Sequence, residues 1–114
     1  MIKTGLAAKR KEILEAELGR ILPLIISSGA RKIIIFGSLA RGKPHKSSDI
    51  DVIVIEETEE GFLKRLDRYY ATLRPQCKID FFVYTPREFE EMKEKSSFVR
   101  NAVKEGLVVY EAQS

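Results

Sequence analysis

A chain of 114 residues with 44% apolar and 32% charged residues has the composition of one globular domain, so we expect a single domain over 1–114 and exclude a disordered polypeptide. The net charge of +3 comes from Lys and Arg interleaved with Glu, so nucleic acid is the least favoured direct ligand. A single cysteine excludes an internal disulfide, and no leader or membrane-spanning apolar stretch is found, which together predict a cytoplasmic protein without membrane contact.

The first predicted element is a helix over 6–27, because apolar residues recur three and four positions apart. Pro23 is expected to kink this helix or to begin a new turn, since proline lacks the amide proton, and Gly29 is expected to end it. The β-branched run at 32–36 then predicts a central strand buried on both faces, which Gly37 closes.

The rest of the chain alternates in the same manner after a loop over 42–48. The predicted elements are a strand at 50–55, a helix at 62–73, a strand at 79–84, a helix from Pro86 with Thr85 as its N-cap, a further short helix ending at Lys104, and an edge strand at 107–110. Helices alternating with short apolar strands predict an α/β (α+β) fold, a small mixed β-sheet with helices packed on it.

Two aspartates stand at the start of the second strand. Because side chains alternate between the faces of a strand, Asp49 and Asp51 project from the same face. Each makes the other harder to ionise unless a cation lies between them. Carboxylates without a His or Cys cluster nearby favour Mg²⁺ or Mn²⁺. The pair predicts a divalent-metal site; the alternative is a solvated strand end at which an aspartate caps a turn.

A phosphate-binding loop is predicted just before these aspartates, where Gly37 ends a strand and a short helix runs from Ser38 to Arg41. Glycine permits close approach of the backbone, and the free amide groups at a helix start bind anions. The Ser38 hydroxyl adds another donor. Arg41 either contacts the triphosphate or forms a salt bridge that fixes the loop, and the sequence leaves both open.

Asp80 is a carboxylate inside an apolar strand, on the same predicted face as Phe82 and Tyr84. If this strand lies beside the second one, Asp80 completes a site of three carboxylates that can hold two metal ions and accept the proton of an attacking hydroxyl. The alternative is a structural ion pair with Arg31 or Lys78.

Three segments together resemble a known family: GSLARG at 37–42, SDID at 48–51 and IDFFVYTP at 79–86. They resemble the signature of the polymerase-beta-type nucleotidyltransferase superfamily, and the chain is similar in length to the minimal nucleotidyltransferases of bacteria and archaea. The resemblance covers most of the chain and implies the palm-like nucleotidyltransferase fold.

By this resemblance the protein is a magnesium-dependent enzyme that transfers a nucleoside monophosphate, AMP from ATP above all, to an acceptor hydroxyl. Asp49 and Asp51 would bind two Mg²⁺ ions. Asp80 would bind the catalytic ion and help to deprotonate the acceptor. Gly37 and Ser38 would hold the triphosphate.

Longer relatives close over the acceptor with a helical region that this chain lacks. The resemblance implies that a second copy, forming a homodimer, or an all-helical HEPN protein supplies that wall; in such pairs the minimal nucleotidyltransferase is an antitoxin that attaches AMP to a tyrosine of the toxin. Two further functions stay open. One is an enzyme acting on a small-molecule hydroxyl, and the other is a non-catalytic nucleotide-binding module that neutralises a helical partner by binding.

Overall fold

The computed structural model describes residues 2–37 and 50–113, with side chains from Lys9 onward. The predicted loop at 42–48 and the predicted short helix at 38–41 lie outside these ranges. Within them the chain forms α1 (Ile2–Ser27), β1 (Lys32–Phe36), β2 (Ile50–Ile55), α2 (Phe62–Leu73), β3 (Ile79–Tyr84), α3 (Pro86–Lys95), α4 (Ser97–Glu105) and β4 (Leu107–Glu111).

The strands form one mixed sheet in the order β3-β2-β1-β4. β1 is central and pairs antiparallel with both β2 and β4, whereas β2 and β3 are parallel. The parallel pair is joined through α2, since a parallel connection has to cross from one end of the sheet to the other. The predicted central strand, the edge position of the last strand and the α/β class are confirmed. None of the described helices is long and apolar enough to cross a membrane.

Helices cover both faces of the sheet, and the alternation of strand residues decides which face each side chain meets. Ile33 and Ile35 of β1 belong to the apolar cluster that packs against α1 and α2. Ile34 and Phe36 belong to the cluster that includes residues of α3 and α4. Strands buried on both faces read as continuous apolar runs, which explains the sequence of β1 and β2.

The end of α1 and the start of α3 agree with the sequence signals, whereas the start of α1 does not. α1 begins earlier than predicted and continues through Pro23 as one helix, so no new helix begins there. Gly29 ends it with a φ of 108°, and the amide of Ala30 donates to the carbonyl of Ile25, the bond expected of a left-handed C-terminal cap. Thr85 caps α3 and forms a capping box with Glu88, as its position before Pro86 predicts.

A buried polar contact ties α1 to the segment that leads into β3. The Glu17 carboxylate accepts two hydrogen bonds from Arg20, at 2.7 and 2.9 Å, and a third from the backbone amide of Gln76. Arg20 also donates to the carbonyls of Leu73 and Arg74 at the end of α2. The pair thereby binds carbonyl and amide groups at the helix end and in the turn that follows it.

We expect Glu17→Gln to lower the free energy of unfolding by roughly 2 kcal/mol at pH 7, because the charge-assisted hydrogen bonds that the carboxylate accepts from Arg20 are replaced by weaker bonds to a neutral amide. The bonds from Arg20 hold the pKa of Glu17 below its usual 4.5, against an opposing effect of burial. A lowered folded pKa stabilises the protein above about pH 4.5, and this contribution is lost as the pH falls through the folded value. Urea unfolding should therefore show a difference from the unmutated protein that shrinks towards pH 3. The exposed Glu15→Gln is the control, and an equal effect of both variants would contradict the prediction.

Candidate active site

Asp51 and Asp80 lie directly opposite each other on the neighbouring parallel strands β2 and β3. Strands of one sheet are about 4.8 Å apart, so the two backbones are neighbours. Each aspartate is half-buried and is the second residue of its strand. Both follow the alternation that places Phe82 and Ile53 on the α3 and α4 side of the sheet. The condition that β3 lies beside β2 is thus met, and its consequence is a pair of adjacent carboxylates.

Gly37 brings the end of β1 against the same carboxylate. Phe36 is the register partner of Asp51 across the antiparallel pair, and Gly37 follows it with a φ of 93°, a conformation that favours glycine. A Cβ atom on Gly37 would stand 2.6 Å from Oδ2 of Asp51, closer than a Cβ atom approaches a neighbouring atom that is not bonded to it. The absent side chain therefore makes the space in which the Asp51 carboxylate lies.

Three of the predicted site residues, Ser38, Arg41 and Asp49, lie outside the described residues, so their roles stay predictions. Within the ranges 2–37 and 50–113, no group of three His, Cys, Asp or Glu side chains gathers as a metal cluster. Asp51 and Asp80 supply two of the three predicted carboxylates.

The chemistry of the two described carboxylates fits a magnesium ion. Like charges at facing positions of adjacent strands destabilise a sheet, and a bound cation would relieve that repulsion. Carboxylate oxygens are the ligands that Mg²⁺ prefers, and Mg²⁺ is bound in proteins through one or two carboxylates together with phosphate groups of a substrate. Asp51 and Asp80 would hold such an ion, and it would polarise a phosphoryl oxygen.

The alternative partner Arg31 is excluded by the sheet register. Arg31 precedes β1, where Lys32 pairs with Ile55, whereas the aspartates lie at the level of Phe36 at the other end of that strand. An ion pair between Arg31 and Asp80 would have to span the length of β1, about 3.3 Å per residue.

Tyr70 is a neighbour of Asp80 that the sequence did not distinguish from the other tyrosines. Its hydroxyl donates a hydrogen bond of 2.5 Å to the carbonyl of Ile79, and its ring meets Phe81 edge-on. Burial raises the pKa of the Tyr70 hydroxyl, and the negative charge of Asp80 adds to the rise. The Tyr70 hydroxyl therefore binds the carbonyl of the residue that precedes Asp80 on β3. This contact depends on the packing of α2 on β3, so it could not be identified from the sequence.

A cavity of about 130 Å³ adjoins Gly37 on the side of α4. Phe36, Gly37, Phe98, Asn101, Ala102 and Glu105 line it. The four α4 residues are spaced three and four apart, so that helical periodicity alone places them on one stripe. The sequence alone singles out neither Phe98 nor Asn101. A second cavity of about 120 Å³, lined by residues of α1 and α2, opens on the opposite face of the sheet from both carboxylates.

Comparison with known proteins agrees with the fold and the site geometry. The sequence matches the family described as Nucleotidyltransferase domain over residues 11–112. A protein of Methanocaldococcus jannaschii, provisionally named a protein adenylyltransferase, is 31% identical over 80 residues, which are 70% of this chain and 78% of that protein.

Two solved structures share the fold at 19% identity. The chain resembles a provisional nucleotidyltransferase of Sulfolobus solfataricus with a TM-score of 0.65, covering 93% of this chain and 87% of that one. It also resembles a chain in a mutant toxin–antitoxin complex, MntA–HpeT, with a TM-score of 0.50, covering 83% and 72%. The resemblance to nucleotidyltransferases seen in the sequence is thus confirmed, and the chain belongs to the nucleotidyltransferase domain family of enzymes.

Proposed function

We propose that this protein transfers AMP from magnesium-bound ATP to the hydroxyl of a tyrosine on an all-helical HEPN toxin and so acts as its antitoxin. The observation that carries the enzymatic part is the placement of Asp51 and Asp80 opposite each other, with Gly37 against the Asp51 carboxylate. The name of the Methanocaldococcus jannaschii relative supports protein as the acceptor, and the toxin–antitoxin neighbour supports a toxin partner.

Each residue has a defined part in the proposed transfer. Asp49, Asp51 and Asp80 bind two magnesium ions, and Gly37, Ser38 and Arg41 bind the triphosphate. Asp80 accepts the proton of the acceptor hydroxyl, whose oxygen forms a bond to the α-phosphorus. The bond from that phosphorus to the bridging oxygen breaks, and pyrophosphate leaves with its electron pair.

In this proposal a partner chain supplies the acceptor side of the site. One domain over 1–114 offers the sheet end and the triphosphate loop, and the helical partner supplies both the remaining wall and the tyrosine. A second copy of this chain is the other supplier of that wall. We place the pair in the cytoplasm.

The test is incubation of the purified protein with magnesium and α-labelled ATP, with and without the protein encoded beside it. Label on the neighbour from the unmutated protein, and none from the Asp49→Asn and Asp51→Asn double variant, is the expected result. Magnesium-dependent ATP binding without transfer would overturn the tyrosine acceptor and direct the search to a small-molecule hydroxyl. ATP binding without transfer, with the partner neutralised by the Asp80→Asn variant as well, would instead support the non-catalytic nucleotide-binding module.

A further inference from the structure

Phe98 is a partly exposed aromatic residue on the face of the sheet that carries Asp51 and Asp80. It is 47% exposed, although it meets Phe36 edge-on at 5.4 Å and Phe82 at 5.2 Å between ring centroids. Phe36 is the register partner of Asp51, and Phe82 follows Asp80 on the same face of β3. The three rings of Phe36, Phe82 and Phe98 therefore form a cluster next to the two carboxylates, on the same face of the sheet.

The cavity beside Phe98 extends from this ring to Gly37. Its lining includes Gly37 at one side and Phe98 with Asn101 on the other. At about 130 Å³ it is smaller than the roughly 300 Å³ or more of a site for a whole drug-sized ligand, and so it accommodates one part of a nucleotide. Phe36, Phe98 and Ala102 make the lining largely apolar, which suits an uncharged ring system better than a phosphate group.

Asn101 gives this cavity a group that distinguishes between bases. An asparagine amide offers a donor and an acceptor together. On the edge that carries N7, adenine presents a matching acceptor and donor at N7 and N6, whereas guanine presents two acceptors at N7 and O6. An asparagine beside an aromatic ring is thus suited to adenine.

We propose that the α4 stripe of Phe98 and Asn101 is the nucleobase subsite, in which Phe98 stacks on the base and Asn101 selects adenine. The proposal rests on the proposed function, because it assigns the base of the nucleotide whose phosphates lie at Gly37. The competing occupant of Phe98 is a helical partner. The base is favoured because one cavity contains both Phe98 and Gly37, where the phosphates of the same nucleotide would lie.

The test compares binding of two magnesium complexes to the purified chain by calorimetry: the non-hydrolysable ATP analogue AMP-PNP, which has a base, and tripolyphosphate, which has none. Stacking of a base on an aromatic ring is worth enough to predict an about tenfold weaker binding of AMP-PNP by Phe98→Leu. Tripolyphosphate should bind equally to both proteins, which also reports that the variant is folded. Phe62→Leu is the matched control, since Phe62 is 40% exposed but lies against Tyr84, away from Gly37.

The outcomes separate this inference from the proposed function. Weaker AMP-PNP binding by Phe98→Leu alone, with Asn101→Leu narrowing the preference for ATP over GTP, supports the base subsite. Unchanged AMP-PNP binding by Phe98→Leu, with tripolyphosphate still bound, overturns the subsite and leaves the proposed function standing. The same result with weaker binding of the neighbouring protein assigns Phe98 to the partner instead. If the unmutated chain binds neither magnesium complex, the proposed function fails as well.

Discussion

Replacing Asp51 or Asp80 with asparagine is expected to lower nucleotidyl transfer by roughly a thousandfold, since each change removes a proposed metal ligand, and a bound ion would supply several kcal/mol of transition-state stabilisation. Asparagine has nearly the shape of aspartate, so the sheet should form as before. Because the two carboxylates face each other on adjacent strands, neutralising Asp80 relieves repulsion, and the melting temperature of Asp80→Asn without magnesium should stay the same or rise.

Asp67→Asn is the matched control for these variants, because Asp67 is an exposed aspartate on α2. Transfer is measured under single-turnover conditions with labelled ATP, and melting is followed by circular dichroism with and without magnesium. Full activity in Asp80→Asn would show that β3 contributes no catalytic group and would remove the basis of the proposed mechanism.

Gly37→Ala is expected to lower transfer by about a hundredfold or more, because the added methyl group meets the Asp51 carboxylate. The new Cβ would stand 2.6 Å from Oδ2, so either the carboxylate or the end of β1 has to move. Displacements of about 1 Å at reacting groups cost rates of this order. Magnesium binding should weaken in parallel, and calorimetry with magnesium and AMP-PNP measures it.

Gly29→Ala separates the steric effect from backbone strain. Gly29 has a φ of 108°, as unfavourable for alanine as the 93° of Gly37, but no atom lies within 4 Å of its added Cβ. Both variants should lose about 1 kcal/mol of stability. Only Gly37→Ala should lose activity. A similar loss of activity in both would mean that strain, and not contact with Asp51, is the cause.

Periodicity and capping signals in the sequence were sufficient for most elements of the fold. The bounds of β2, α2 and β3 agree with prediction, because each is a clear apolar pattern with Gly or Pro near its end. Pro23 lies inside α1, as the predicted helix over 6–27 implies, because packing of the apolar stripe on the sheet outweighs one missing amide. The local apolar pattern thus determines which elements form, and tertiary packing keeps a residue such as Pro23 in a helix despite its low helix propensity.

The candidate site was predictable only as far as it depends on local geometry. The same-face placement of Asp80 with Phe82 follows from strand alternation, but its position opposite Asp51 required the parallel order of β2 and β3, which no local pattern encodes. Contacts between distant segments had no sequence signal at all. Glu17 reaches the amide of Gln76 across the turn after α2, and Phe98 joins Phe36 from the far end of the chain.

The parallel pairing of β2 and β3 also determines when, during folding, Asp51 and Asp80 become neighbours. Asp51 and Asp80 are separated by the whole α2 crossover, so they become neighbours only when that long loop has closed. An unfolded chain therefore presents no preformed pair to a divalent ion. Magnesium should bind the native state alone and shift the folding equilibrium by mass action. A magnesium ion bound at the proposed site would then stabilise the pairing of β2 with β3 that forms this site.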